Sequence, residues 1–392
     1  MNSRVIGKKI RIRNVVSGGS FDTVFLVLVM TLLTIGLVMM FSASYVNASY
    51  LNGSAFFYIK KQAKFAVVGI ILMLAVSRVK YTVYKRVSYA ALGISFVLLV
   101  LVLLFPAEIE GKEAFKRWLD LPLLPSFQPS EIGKLALILF FARDMEKNQK
   151  KIDTDWKMMI PYLIVIGTMC LLVYMENHLS GTLLVLGLGV VMTYLGGVKK
   201  GWFIAMLAVM ALFAFIYILE PDKVIKLLEN YAGDRITAWR EKDKFETTLR
   251  WQTNQSLYAI GSGGLFGLGL GNSKQKHLYM PEPQNDFVFS IVCEELGFIG
   301  AVIIILLFAA LVWRGFVIAM RAKDRFSALM VMGIIMQIGL QTALNIFVVT
   351  DTVPNTGISL PFFSYGGTAL VMLLGEMGMV LSVSRYSKVT KK

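Results

Sequence analysis

Long unbroken apolar runs dominate this chain, and their length says more than any periodicity inside them. Runs near the about 17–25 residues that carry a helix across a bilayer recur from end to end. Glycines, prolines and charges punctuate them into ten predicted spans, at roughly 22–43, 63–78, 88–106, 129–142, 159–175, 181–197, 201–219, 287–313, 326–349 and 366–384. The fourth is short and carries Glu131 and Lys134. The expected fold is an all-α polytopic membrane protein of about ten transmembrane helices. It forms one transmembrane domain, 21–385, with a large extracytoplasmic loop, 220–286, between helices 7 and 8. Tails at 1–20 and 386–392 are expected in the cytoplasm.

Composition agrees: 56% of the 392 residues are hydrophobic and 17% charged, too apolar for a soluble enzyme of this length. The net charge of +15 is read as a topology signal. Arg4, Lys8, Lys9, Arg11 and Arg13 precede a first span too long for a cleaved signal, which puts the N-terminus inside. Ten spans return Arg385, Lys388, Lys391 and Lys392 to the same side. Cations dispersed among spans exclude a nucleic-acid partner and leave membrane lipids as the surroundings. Cys170 and Cys293 lie within apolar runs, so no structural disulfide is expected.

The segments this topology places outside are long and hold or border nine of the ten prolines. The longest, 220–286, balances nine acids against nine bases. Its first half is expected to include an interfacial amphipathic helix, with Ile225, Leu228, Ile236 and Trp239 toward lipid. Its end is glycine-rich and basic, and runs into Asp286 and then directly into an apolar span. A carboxylate there is either the N-cap of the eighth span or a general base whose pKa partial burial would raise.

Three motifs give this pattern a family. The stretch WQTNQSLYAIGSGGLFGLGLGNSKQKHLYMPEPQNDFVFSIVCEELGFIG resembles the large external loop of the SEDS proteins (shape, elongation, division, sporulation). NTGISLPFFSYGGTAL at 355–370 and KRWLDLPLLPSFQPSEIGKL at 116–135 resemble two more of their motifs, in the right order. The lysine-bearing loop looks more like the division and sporulation branch (FtsW, SpoVE) than the elongation branch (RodA). Two departures stand out: Asn285 occupies a place where the family usually has Thr or Ser, and Glu176–Thr182 replaces a common Pro-Asp-Leu-Gly-Thr pattern.

The resemblance implies a peptidoglycan glycosyltransferase that polymerises lipid II, an undecaprenyl-pyrophosphate-linked disaccharide pentapeptide, at the outer face of the cytoplasmic membrane. It implies Asp286 as the catalytic residue and a class B penicillin-binding protein as partner. Alternatives are a lipid II flippase and a non-catalytic scaffold for that partner. The leaving diphosphate needs cations, and Lys116, Arg117, Lys274 and Lys276 are the candidates. Gly263, Gly264, Gly267, Gly269 and Gly271 would let backbone N–H groups approach phosphate, or simply make turns. Ser364 and Tyr365 could hydrogen-bond sugar or phosphate. Glu131, Lys134, Glu294, Glu295 and Glu376, charges inside spans, are expected either to line an intramembrane polar cavity or to satisfy one another. No metal site is expected, His178 and His277 being far apart in sequence. A divalent cation (Mg or Mn) riding on the diphosphate is the one cofactor expectation.

Overall fold

The computed structural model describes residues 19–107, 117–120, 125–206, 231–245 and 247–386. Eleven labelled helices follow in chain order. They are α1 (Thr23–Asn52), α2 (Phe57–Arg78), α3 (Thr82–Leu104), α4 (Pro129–Lys147), α5 (Met159–Met175) and α6 (Leu179–Leu195), then α7 (Tyr231–Arg240), α8 (Trp251–Gly263), α9 (Val288–Met320), α10 (Arg325–Val349) and α11 (Gly367–Ser384). The extended backbone among the described residues is one isolated bridge, Leu119 to Phe127. Six described helices are long and apolar enough to cross a membrane: α1, α3, α5 with the turn before it, α9, α10 and α11. The expected seventh span begins as a helix at 200–206, and the rest of it lies outside the described residues. So do Lys116, Ile225, Leu228 and most of the two tails.

Lipid offers no hydrophobic drive for helices to associate, so close backbone approach has to hold the bundle together. Small residues provide it. A Cβ on Gly378 of α11 would lie 2.5 Å from the Met73 carbonyl of α2, and one on Gly36 of α1 would lie 2.4 Å from the Phe362 carbonyl. Helix ends are fixed by polar pairs at one pole of the bundle. Asp22 caps α1 at Phe25 N, 2.9 Å away, and accepts from Arg314 Nε and Nη2. Asp324 forms a capping box with Ser327 and accepts from the Tyr81 hydroxyl at 2.8 Å.

The opposite pole carries α7, α8 and the long connections. There α9 departs from a regular helix at Gly297, which has φ +68°. The glycine-rich segment after α8 fills that break. Leu268 N and Gly269 N donate to the carbonyls of Glu294 and Glu295 at 2.9 and 3.0 Å, while Phe298 N and Ile299 N donate to Gly264 and Leu265. Backbone meets backbone so closely that a Cβ on Gly267 would sit 2.2 Å from the Glu295 carbonyl. At Gly263 and Gly267 the glycines thus serve packing against α9. The expectation that they approach phosphate is replaced there by this backbone crossover.

α7 also departs from expectation. The Trp239 indole donates to the Asp351 carbonyl at 3.0 Å, and Ala238 is buried, so this face docks on protein instead of lying toward lipid.

Candidate active site

Asp286 lies two residues before α9, whose N-cap is Phe287 with no side-chain cap hydrogen bond. The carboxylate is therefore not the helix cap. It is half-buried and stands beside Gly357, where a Cβ would come within 3.2 Å of Asp286 Oδ2. Gly357 has φ +71°, a conformation that favours glycine. The Asp286 main chain is held from α10: Asn345 Nδ2 donates to the Asp286 carbonyl at 2.8 Å and to the Ile358 carbonyl at 2.7 Å. One buried amide thereby joins the segment bearing Asp286 to the 355–366 turn. Tyr365 N adds a second tie, to the Gln284 carbonyl at 2.8 Å.

The wall continues from Gly357 toward α6. Ser180 donates to the Gly357 carbonyl at 3.3 Å, and the 176–178 turn precedes it. Arg117 donates to the Asn177 carbonyl. Gln128 donates to His178 Nδ1 at 3.2 Å. Burial, with the positive charges of Arg117 and Lys134, keeps the His178 imidazole well below its usual range and hence neutral. Glu176 is fully buried, and both its carboxylate oxygens lack a hydrogen-bond partner among the described residues. Burial pushes that carboxyl up to about 9, against the opposing pull of Arg117.

The other expected site residues divide into three groups. Glu131, Ser364, Tyr365 and Glu376 line a small polar cavity of about 50 Å³, and Lys134 bonds Glu131 at 2.9 Å and Gln341 at 3.4 Å beside it. Glu376 accepts from Gln337, and Ser364 Oγ accepts from Leu360 N at 2.7 Å. Glu294 and Glu295 are spent elsewhere, tying down the 273–276 loop. Glu294 accepts from the Ser273 hydroxyl and from Lys274 N at 2.8 Å. Glu295 accepts from Ser42 and pairs with Lys276 Nζ at 2.6 Å. Lys276 is completely buried in that pair, with Tyr45 against its ammonium, so its charge is engaged inside the protein and not presented to a ligand. Lys274 is exposed. Among the described residues no group of three or more His, Cys, Asp or Glu is arranged for a metal.

Sequence reasoning passed over Asn345 and noted Glu176 only as the start of a departure from the family pattern, not as a site residue. The search for charges inside spans skips a neutral amide such as Asn345. Glu176 sits one residue past its span, where an acid looks like an ordinary loop residue.

An all-helical membrane bundle with a carboxylate braced at one pole defines the class. The profile of FtsW, RodA and SpoVE, described as a cell cycle protein, matches residues 22–389, and the chain belongs to that family. It is 39% identical to stage V sporulation protein E of Bacillus subtilis (strain 168), over 94% of this chain and 98% of that one. It is 35% identical to a probable peptidoglycan glycosyltransferase FtsW of Geobacter sp. (strain M18), over 93% of this chain and 96% of the other. Among solved structures, a chain of a peptidoglycan synthase complex that coordinates polymerization and crosslinking superposes with TM-score 0.75 at 25% identity, covering 94% and 99% of the two chains. The rod shape determining protein RodA of Thermus thermophilus superposes with TM-score 0.66 at 26% identity, covering 94% and 98%.

Proposed function

We propose that this chain is a peptidoglycan glycosyltransferase that polymerises lipid II at the outer face of the cytoplasmic membrane, in division or spore cortex synthesis. The observation that carries the reading is the half-buried Asp286 carboxylate, set one residue before the Phe287 N-cap of α9, against Gly357, with its main chain held by Asn345. In this reading Asp286 takes the proton from the acceptor GlcNAc 4-hydroxyl. The hydroxyl oxygen bonds to the donor sugar's anomeric carbon, and the bond from that carbon to the diphosphate breaks. Holding both sugars in place supplies much of the rate, and the base supplies the rest. Arg117, on the same wall, and exposed Lys274 are the candidates for the departing diphosphate, with Lys116 beside Arg117 in sequence. A divalent cation would ride on the diphosphate itself. The poles follow the charge pattern: Asp286 outside, both termini inside. A class B penicillin-binding protein is the proposed partner, which the similarity to a chain of a synthase complex supports.

The small cavity at Glu131 and Glu376 supports polymerisation over translocation, since its volume suits a few waters and not a disaccharide. The deciding experiment is lipid II polymerisation by the purified protein with its partner. Wild type makes glycan and Asp286→Asn makes none. A normal product from Asp286→Asn would overturn the assignment.

A further inference from the structure

Polymerisation as proposed above brings two lipid-linked diphosphates together, and only one of them departs. The other stays on the acceptor's carrier throughout, and neither Arg117 nor Lys274 is assigned to it. A separate cationic place lies at the same pole, at the start of α2.

Lys60, Lys61 and Lys64 fall within the first eight residues of α2, and all three are exposed. Lys64 is four residues from Lys60 and three from Lys61, so the three side chains are neighbours on the helix surface. None of them is in an ion pair among the described residues. Lys61 Nζ stands 4.1 Å from the centre of the Phe57 ring, a contact that leaves its positive charge uncompensated. The cluster is unfavourable by itself. Like charges at this spacing repel, and the macrodipole disfavours a cation such as Lys60 in a first turn that holds no acid. The cluster also stands at the pole of Asp286, against the inward bias of cations in membrane proteins.

This end of α2 is fastened to the wall of the candidate active site. Gln62, buried beneath the lysines, donates to the Ser364 carbonyl at 3.3 Å and accepts from Gly366 N at 3.2 Å. The Tyr58 and Tyr365 rings meet at 5.0 Å between centres, and Tyr365 N holds the Gln284 carbonyl two residues before Asp286. α2 and the segment bearing Asp286 are thus braced on one turn, 364–366.

Below the lysines the same face is apolar and open. Lys60, Lys64, Val67, Ile71 and Leu74 recur at the alternating four- and three-residue spacing of one helix face, and Val67 and Ile71 are 57% and 63% exposed. Lys64 to Leu74 covers about 15 Å of helix, half of the roughly 30 Å hydrocarbon core. A cationic head above an apolar track one leaflet deep matches a lipid whose head is a dense anion. We propose that this face of α2 holds the acceptor's polyprenyl diphosphate. Lys60 and Lys64, flanked by Lys61, meet the phosphates, and the chain lies along Val67, Ile71 and Leu74. The inference rests on the polymerase reading and extends it to the lipid that keeps its carrier.

Two readouts test it on the full chain in nanodiscs of zwitterionic lipid. The first is elongation with the partner present, followed against lipid II concentration. The combined variant Lys60→Gln, Lys61→Gln, Lys64→Gln is expected to raise KM at least about tenfold with kcat within about twofold of wild type. The three Lys→Arg changes together are expected to keep the wild-type KM, and the melting temperature of the Gln variant is expected not to fall. The second readout is site-specific. A benzophenone amino acid at Val67, on the Asp286→Asn background, is expected to crosslink radiolabelled undecaprenyl diphosphate. The three Lys→Gln changes are expected to cut that crosslink at least about tenfold, and an equal concentration of phosphatidylglycerol is expected to leave it standing. Unchanged KM and an unchanged crosslink in the Gln variant would overturn the site. So would equal displacement by phosphatidylglycerol, which would make the patch a general anionic-lipid surface. A lysine-dependent crosslink in a protein whose wild type makes no glycan would instead sink the polymerase reading and leave the diphosphate site in place.

Discussion

Asn345 spans two carbonyls with one side-chain amide, Asp286 at 2.8 Å and Ile358 at 2.7 Å, and is itself fully buried. It touches no reacting atom in the proposed chemistry, so it is a positioning residue. Asn345→Ala leaves two carbonyls unanswered, a cost of about 1–3 kcal/mol each. Polymerisation is expected to fall at least about tenfold through kcat, with KM little changed, because a base displaced by a fraction of an ångström loses its alignment. A change in KM alone would argue against positioning.

Lys276 and Glu295 form a buried ion pair at 2.6 Å. Breaking one side strands a charge, so Lys276→Met is expected to cost about 3–5 kcal/mol. Replacing both, Lys276→Met with Glu295→Leu, is expected to recover most of the melting temperature and the activity. If the double variant refolds but does not polymerise, Lys276 contributes more than structure.

Glu176 gives a pH signature. Its carboxyl is pushed up to about 9 by burial, from the 4.5 of an exposed group. Below pH 4.5 both folded and unfolded states are protonated. As pH rises toward 9, only the unfolded state gains from ionising, so the folded state loses stability across that window. Glu176→Gln has no such proton to lose. Its melting temperature relative to wild type is expected to climb between pH 5 and pH 8.5. A constant difference across that range would mean the carboxyl is ionised in the fold.

Gly267 and Gly297 meet backbone to backbone, at φ +80° and +68°. A methyl at Gly267 meets the Glu295 carbonyl at 2.2 Å, and one at Gly297 meets Gly267 N at 2.3 Å. Gly267→Ala and Gly297→Ala are each expected to destabilise by about 3 kcal/mol or more. Gly264→Ala is the informative neighbour: nothing lies within 4 Å of its Cβ position, so the loss comes from its backbone alone, at φ +55° and ψ −149° where essentially only glycine sits, and is expected to be about 1–3 kcal/mol, below the other two. Thermal melts of the three in one detergent check the order.

Membrane helices were legible because a bilayer imposes a length on apolar runs, and that length survives any detail of packing. α1 and α9 nonetheless run beyond their apolar cores, to Asn52 and Met320, since helix hydrogen bonds continue past the lipid boundary. The break in α9 was hidden. Gly297 lies in an ordinary apolar context, and only the distant Gly267 backbone shows why the turn opens. Asp286 could be singled out from its neighbours, whereas the partners of Lys276 could not. A lysine on a basic loop looks the same in sequence whether it meets diphosphate or a glutamate from the next helix. The Trp239 face was misplaced for a similar reason: an amphipathic stripe does not say whether lipid or Asp351 covers it.

The break at Gly297 has a mechanical consequence. The carbonyls of Glu294 and Glu295 are answered by the 268–269 backbone instead of by the next turn of their own helix. The stub 288–296 is therefore fastened to the loop, and the lipid-crossing remainder begins as a separate rod. The contacts that hold Asp286 against Gly357 lie on the stub's side of Gly297, so a tilt of the rod is expected to be taken up at that residue before it reaches the carboxylate.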